Sequence, residues 1–319
     1  MKEAAFVKQN LPIWEEFERI IEDTRKADPD QLADLFIRVT NDLAFSRTQY
    51  PESQTTIYLN SLASKIHHAI YRNKKEKTSR FVTFWTSELP AIHLSAHKQF
   101  LYAFVFFTIP AIIGALSANY DQTFARLILG DGYVNTTLEN IEKGEPMGIY
   151  SSMGQLSMFL IILVNNVGVM LKTFAFGLFL SVGTVLILFY NGVMVGVFQY
   201  FFYMKGLFWI SFLTIWTHGT LEISAIIIAG AAGLVVGNSI LFPGTYSRFQ
   251  SFKIGIKKGL KIVIGLIPVI TLAALLEGFV TRITYLHWSF KATIIVISAV
   301  FVLYYYIIYP IRIRKNVTE

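Results

Sequence analysis

The 319-residue chain is 54% hydrophobic and only 15% charged, with a mean hydropathy of +0.49, which excludes an ordinary soluble domain and marks a polytopic membrane protein. It contains no cysteine, so disulfides, thiolate metal sites, thiol nucleophiles and lipidated cysteines are excluded. The net charge of +7 is carried by basic residues clustered beside apolar segments, where membrane topology accounts for it, and no nucleic-acid partner is expected.

Residues 1–80 read as a cytoplasmic helical region. Trp14, Phe17, Ile20 and Ile21 recur at helical spacing, as do Leu32, Leu35, Phe36 and Val39. Asp28 fits an N-cap and Pro29 the first position of a second helix, which Pro51 ends; a third helix is expected over Ile57 to Tyr71. The basic stretch at 72–80 suits either anionic headgroups or a solvated helix end. Residues 1–30 lack an apolar segment, so no cleavable signal peptide is expected and the first span serves as the insertion signal. Residues 81–98 place Phe81, Phe84, Trp85, Leu89 and Ile92 opposite Ser, Thr, Glu and His, the pattern of an amphipathic helix in the membrane interface. His93 and His97, four apart on that helix, are expected to stay wet rather than bind metal, since no third ligand is near.

The chain then reads as an all-α transmembrane domain, residues 99–311, of about six helices at 99–118, 153–171, 173–203, 218–242, 262–279 and 292–309. Pro110 and Pro268 fall inside two of them. The loop 119–152 carries five acids against two bases and belongs outside the cytoplasm, with a short helix expected over Thr123 to Leu129. A continuous helix over 173–203 overshoots a bilayer, so a tilt, an emergent end or a break near Asn191 and Gly192 is expected. Residues 206–216 are too short to span and read as a re-entrant or interfacial hairpin on the outer side. Arg248, Lys253, Lys257, Lys258 and Lys261, with no acid among them, and Arg312, Arg314 and Lys315 before the tail 312–319 put both termini in the cytoplasm.

Polar residues inside these spans are the candidate site. His218 and Glu222, four apart, share a helix face and can pair directly; Asn165, Asn166, Asn191 and Glu277 complete an intramembrane polar cluster. Ala225, Ala229, Gly233 and Gly237 continue the same face as a ridge of small residues, and Gly192 and Gly196 form a second close-packing pair. The ridge serves either packing within one chain or a homodimer.

The segments VNNVGVMLKTFAFGLFLSVGT, YNGVMVG and HGTLEISAIIIAGAAGL, with the interfacial WTSELPAI, resemble the stage II sporulation protein M family of bacterial integral membrane proteins over roughly residues 80 to 310. The resemblance implies a multi-pass protein of the bacterial cytoplasmic (inner) membrane and cell-envelope partners, since the founding members work with peptidoglycan-degrading proteins. Residues 1–80 are similar to longer relatives from bacteria that do not sporulate.

Three classes of function follow. The first is a non-catalytic scaffold, with membrane lipids, envelope or peptidoglycan-remodelling proteins and a second copy as partners; no cofactor, metal or catalytic residue is expected. The alternative is a transporter, flippase or channel built on the His/Glu/Asn cluster. An intramembrane metal-dependent hydrolase would need Glu277 as a third ligand beside His218 and Glu222, and the chain has no HExxH or Gly-x-Ser-x-Gly sequence.

Overall fold

The computed structural model describes residues 2–22, 29–72, 79–148, 154–283 and 286–318, and is 89% helical with no strand among them. It divides into two compact units, Met1–Phe81 and Val82–Glu319.

In the first unit, α1 (Glu3–Glu22), α2 (Pro29–Gln49) and α3 (Gln54–Arg72) close on one apolar core. Trp14, Phe17, Val39, Leu59 and Leu62 are its most buried members, so the helical spacing of α1 and α2 points inward as expected. Polar contacts tie the three together: Trp14 Nε1 donates to Asp42 Oδ2 at 2.8 Å, and Tyr58 OH donates to Glu18 Oε2 at 3.0 Å. Lys65 Nζ lies 2.7 Å from the other oxygen of Glu18. Helix α2 begins at Pro29 and stops just before Tyr50 and Pro51, as read; the cap expected at Asp28 and most of the basic stretch, 73–78, lie outside the described residues.

The chain enters the second unit within α4 (Ser79–Thr83), continues through a π-helical turn over Phe84–Glu88 and α5 (Leu89–Ser95), then breaks at Ala96 before α6 (His97–Tyr120). The amphipathic helix expected over 81–98 is therefore helical but interrupted. It is also clamped rather than free: Tyr305 OH donates to the Trp85 carbonyl at 2.7 Å, Tyr309 OH to that of Thr86 at 3.0 Å, and Lys261 pairs with Glu88. His93 is consequently buried beside Phe100 and Tyr306, which corrects the expectation that it stays wet; His97 is exposed.

Between the first two spans, Asp121 caps α7 (Gln122–Leu129) by accepting from the Thr123 amide at 2.8 Å, and Gly130, at φ +88°, turns the chain into α8 (Asp131–Glu142). The sequence reading found α7 and missed α8.

Six helices are long and apolar enough to cross a membrane: His97–Tyr120, Gln155–Leu178, Val182–Met204, Phe208–Leu241, Arg248–Thr281 and Trp288–Ile313. They comprise α6, α9 (Gln155–Ala175) with a 3-10 turn over Phe176–Leu178, α10 (Val182–Met204), α11 (Phe208–Leu241), α12 (Arg248–Leu275) with a π-helical turn over Leu276–Thr281, and α13 (Trp288–Leu303). The last span continues through a π-helical turn over Tyr304–Ile308 into α14 (Tyr309–Thr318).

Two boundaries differ from the sequence reading. Of the three alternatives offered for 173–203, the break near Asn191 and Gly192 is absent; the chain turns at Leu180 and Ser181, both in the left-handed region at φ 52° and 69°, and only Val182–Met204 is helical beyond them. Residues 206–216 form no hairpin: from Phe208 they are the first turns of the 34-residue α11. Phe208, Phe212 and Trp216 stack along one face at spacing four, with centroids 5.7 and 5.4 Å apart, which carries the helix straight into His218. At 1.5 Å per residue α11 is about 51 Å long, well beyond a hydrocarbon core of about 30 Å.

Helix α11 is the hub of this unit, touching α6, α9, α10, α12 and α13. Its Leu221, Ala225, Ile228 and Ala229 are buried against Ile262, Leu266 and Ala273 of α12.

Candidate functional site in the membrane interior

One face of α11 changes character along its length. Thr214, His218 and Glu222 follow at spacing four, and Ala225, Ala229, Gly233 and Gly237 then continue it with side chains small enough for backbone contact.

The small half is used inside the chain. A Cβ placed on Gly233 would stand 2.7 Å from the Thr173 carbonyl oxygen, and one on Gly237 would stand 2.4 Å from the Ser181 amide nitrogen. A Cβ placed on Gly177, in the turn after α9, would likewise overlap the Gly233 carbonyl oxygen. Gly192 and Gly196 seat α10 against α6: added Cβ atoms would fall 2.3 Å from the Phe107 oxygen and 1.8 Å from the Ala111 oxygen. Of the two uses foreseen for the ridge, packing within one chain is the one observed.

The polar half meets three helices. Lys291 of α13, buried, donates to Thr214 Oγ1 at 3.2 Å. His218 shares a 2.9 Å hydrogen bond between Nδ1 and Thr281 Oγ1, and its Nε2 lies 3.7 Å from Glu277 Oε2. Glu222 completes the group: one ligand atom from each of His218, Glu222 and Glu277 lies within 4.8 Å of the others. Glu277 and Thr281, four residues apart within the π-helical turn Leu276–Thr281, both face His218 of α11.

The amides lie beside this group. Asn165 Nδ2 donates to Asn166 Oδ1 at a long 3.4 Å, and Asn191 Nδ2 donates to the Ile187 carbonyl of its own helix at 2.8 Å. Asn166 is close enough to Glu222 to act on its carboxylate, yet its buried Nδ2 makes no hydrogen bond of ordinary geometry. Asn165, Asn166, Asn191 and Glu222 line one cavity of about 380 Å³, with Lys172 also on its wall. The six residues read from the sequence as one polar cluster thus fall into two groups that share Glu222: His218, Glu222 and Glu277 on one side, and the cavity lined by Asn165, Asn166 and Asn191 on the other, with Asn165 itself exposed.

Sequence reasoning missed Thr281 and Lys291. A threonine is ordinary in a helix, but the single lysine in the apolar run after Trp288 was a usable signal. Among the described residues, neither Glu222 nor Glu277 has a lysine or arginine within salt-bridge distance.

Five apolar helices around a sixth, central one whose polar half gathers a histidine and two carboxylates define a polytopic α-helical membrane protein with an intramembrane polar site. The chain belongs to the stage II sporulation protein M family, whose sequence model matches residues 103–282 and so contains the whole His218, Glu222 and Glu277 group. The interfacial WTSELPAI segment and Lys291 fall outside that match. A domain of unknown function (DUF8413) matches residues 4–72, the three helices of the first unit. No curated protein and no solved structure matches the chain.

Proposed function

We propose that this protein is a non-catalytic scaffold of the bacterial cytoplasmic membrane that recruits or positions cell-envelope partners, peptidoglycan-remodelling proteins among them. The observation that carries this reading is the backbone contact between spans, at Gly192 and Gly196 against α6 and at Gly177 against Gly233. Helices seated on each other's carbonyls have no slack to slide, which suits a fixed platform better than a carrier that alternates between two shapes. The surfaces offered to partners lie outside the spans, on the three-helix unit and on α7 and α8. The acid-rich 119–152 loop and the basic run from Arg248 to Lys261 support cytoplasmic termini. A second copy of the chain is also a proposed partner, at a surface other than the ridge spent within the chain.

The test is native mass spectrometry of the complex extracted gently from its own membranes. Stoichiometric foreign subunits are the expected result, and their loss on deleting 119–148 or the first unit would locate the docking surface. A bare chain or homo-oligomer from every gentle extraction overturns the scaffold.

One observation favours a second reading, transport of an ion or small solute: the cavity lined by Asn165, Asn166, Asn191 and Glu222 inside the spans. Solute movement in proteoliposomes that stops in a folded Glu222→Gln variant would move the assignment there.

A further inference from the structure

The geometry points to a binding site for one divalent transition-metal ion, of the Zn²⁺ class, between α11 and the π-helical turn after α12, with His218 Nε2 and the carboxylates of Glu222 and Glu277 as its ligands. This goes beyond the scaffold reading and does not depend on it, since such an ion would fasten the two helices whatever the body does.

Charge is the first argument. Two carboxylates and an imidazole converge within 4.8 Å in the interior of a membrane protein, and no lysine or arginine among the described residues pairs with either acid. Two negative charges there are costly, so without a counter-ion the acids would have to keep their protons, whereas one dication with two carboxylates and a neutral imidazole makes a site of zero net charge. The donor set is the second. An imidazole nitrogen with two carboxylate oxygens suits zinc or a first-row neighbour; calcium and magnesium take oxygen shells of six or more.

Geometry and surroundings are the third. Ligand atoms about 2.1 Å from a tetrahedral ion stand about 3.4 Å apart. Nε2 and Glu277 Oε2 are already 3.7 Å apart, and rotation of the carboxylates closes the remainder. The other imidazole nitrogen is held by Thr281, itself buried, the kind of outer contact that aims a ligating histidine. Asn166, also buried, stands beside Glu222 on the wall of a neighbouring cavity, where its amide can orient that carboxylate. With three protein ligands, the fourth position of a tetrahedral ion is left for water.

The experiment uses full-length protein in detergent, stripped with chelator and titrated with Co²⁺, whose visible absorption reports its coordination, then with Zn²⁺ in competition. One equivalent per chain with a tetrahedral Co²⁺ spectrum, displaced by Zn²⁺, is expected. His218→Ala and Glu277→Gln should each weaken binding at least about 100-fold, and Thr281→Val about 10- to 100-fold. Zn²⁺ should also raise the melting temperature of the wild type and not that of the ligand variants. A folded, chelator-treated wild type that takes up no Co²⁺ or Zn²⁺ overturns the proposal. So does stoichiometric binding that survives in His218→Ala/Glu277→Gln. If the ligand variants do not fold, the wild-type titration and its thermal shift decide alone.

Discussion

At the scale of single residues, two ionisable groups outside the spans make the protein's stability depend on pH. Burial pushes the His93 imidazole down to about 3 from an ordinary value of 6.5, with no hydrogen-bond partner among the described residues to offset it. The unfolded chain therefore takes up a proton below pH 6.5 that the folded chain refuses until about pH 3, so stability falls as the pH drops through that window. The slope from this group is at most about 1.4 kcal/mol per pH unit. His93→Phe, which suits the contacts with Phe100 and Tyr306, should flatten that part of the melting-temperature profile and leave the neutral-pH value nearly unchanged. A profile as steep as that of the wild type would refute the assignment.

Glu18 behaves in the opposite sense of charge and the same sense of pH. The hydrogen bond from Lys65, then that from Tyr58, holds its carboxyl below the usual 4.5, while burial first and Glu18 second push Tyr58 up to about 12. The contribution of Glu18 is complete above pH 4.5 and is lost as the pH falls through its lowered value. Water screens this partly exposed pair, so Glu18→Gln should remove only a small part of the acid sensitivity of α1–α3, followed by circular dichroism.

At the scale of elements, the spans are held by places where one helix has no side chain. A methyl group on Gly196 would overlap the Ala111 carbonyl, and backbone yields less readily than a flexible side chain. Gly196→Ala should destabilise by about 1–3 kcal/mol and Gly196→Leu should prevent folding, whereas Gly132→Ala, with nothing near it, should be neutral in the same detergent melt. Gly233→Leu, a natural probe of dimerisation if the ridge were free, is expected instead to disrupt the chain itself, because Thr184 and the Thr173 carbonyl occupy that space. Helix α11 shows why the hairpin expected at 206–216 is absent. The segment is too short to cross alone, but no proline or glycine separates Leu207 from His218, and its aromatic rings stack at helical spacing. Length argued for a separate element; local continuity prevailed.

At the scale of the whole molecule, the first unit has its own core and no need of the membrane to bury it. Residues 1–81 expressed alone should give a soluble helical protein with a cooperative transition. Trp14 is almost wholly buried at the junction of α1, α2 and α3, and Trp14→Ala should cost about 3–5 kcal/mol, enough to unfold a unit of this size. A chain of residues 1–81 that remains unfolded in isolation would show that it depends on the membrane unit.

The sequence alone was sufficient for the helical class, the six apolar spans, the three-helix front and the polar residues in the spans, because hydropathy and periodicity are properties of one segment at a time. It also placed His218 on the same face as the 225–237 ridge, a consequence of helix pitch. Which groups meet was decided by the tertiary structure. Glu277 and Thr281 reach His218 across more than fifty residues, a meeting that spacing along the chain does not announce, and the chain turns at Leu180 and Ser181 rather than at a glycine. The same holds for the ridge: small residues permit close approach by any helix, and only the positions of the Thr173 and Ser181 backbones determine that the helix accepted is one of the chain's own.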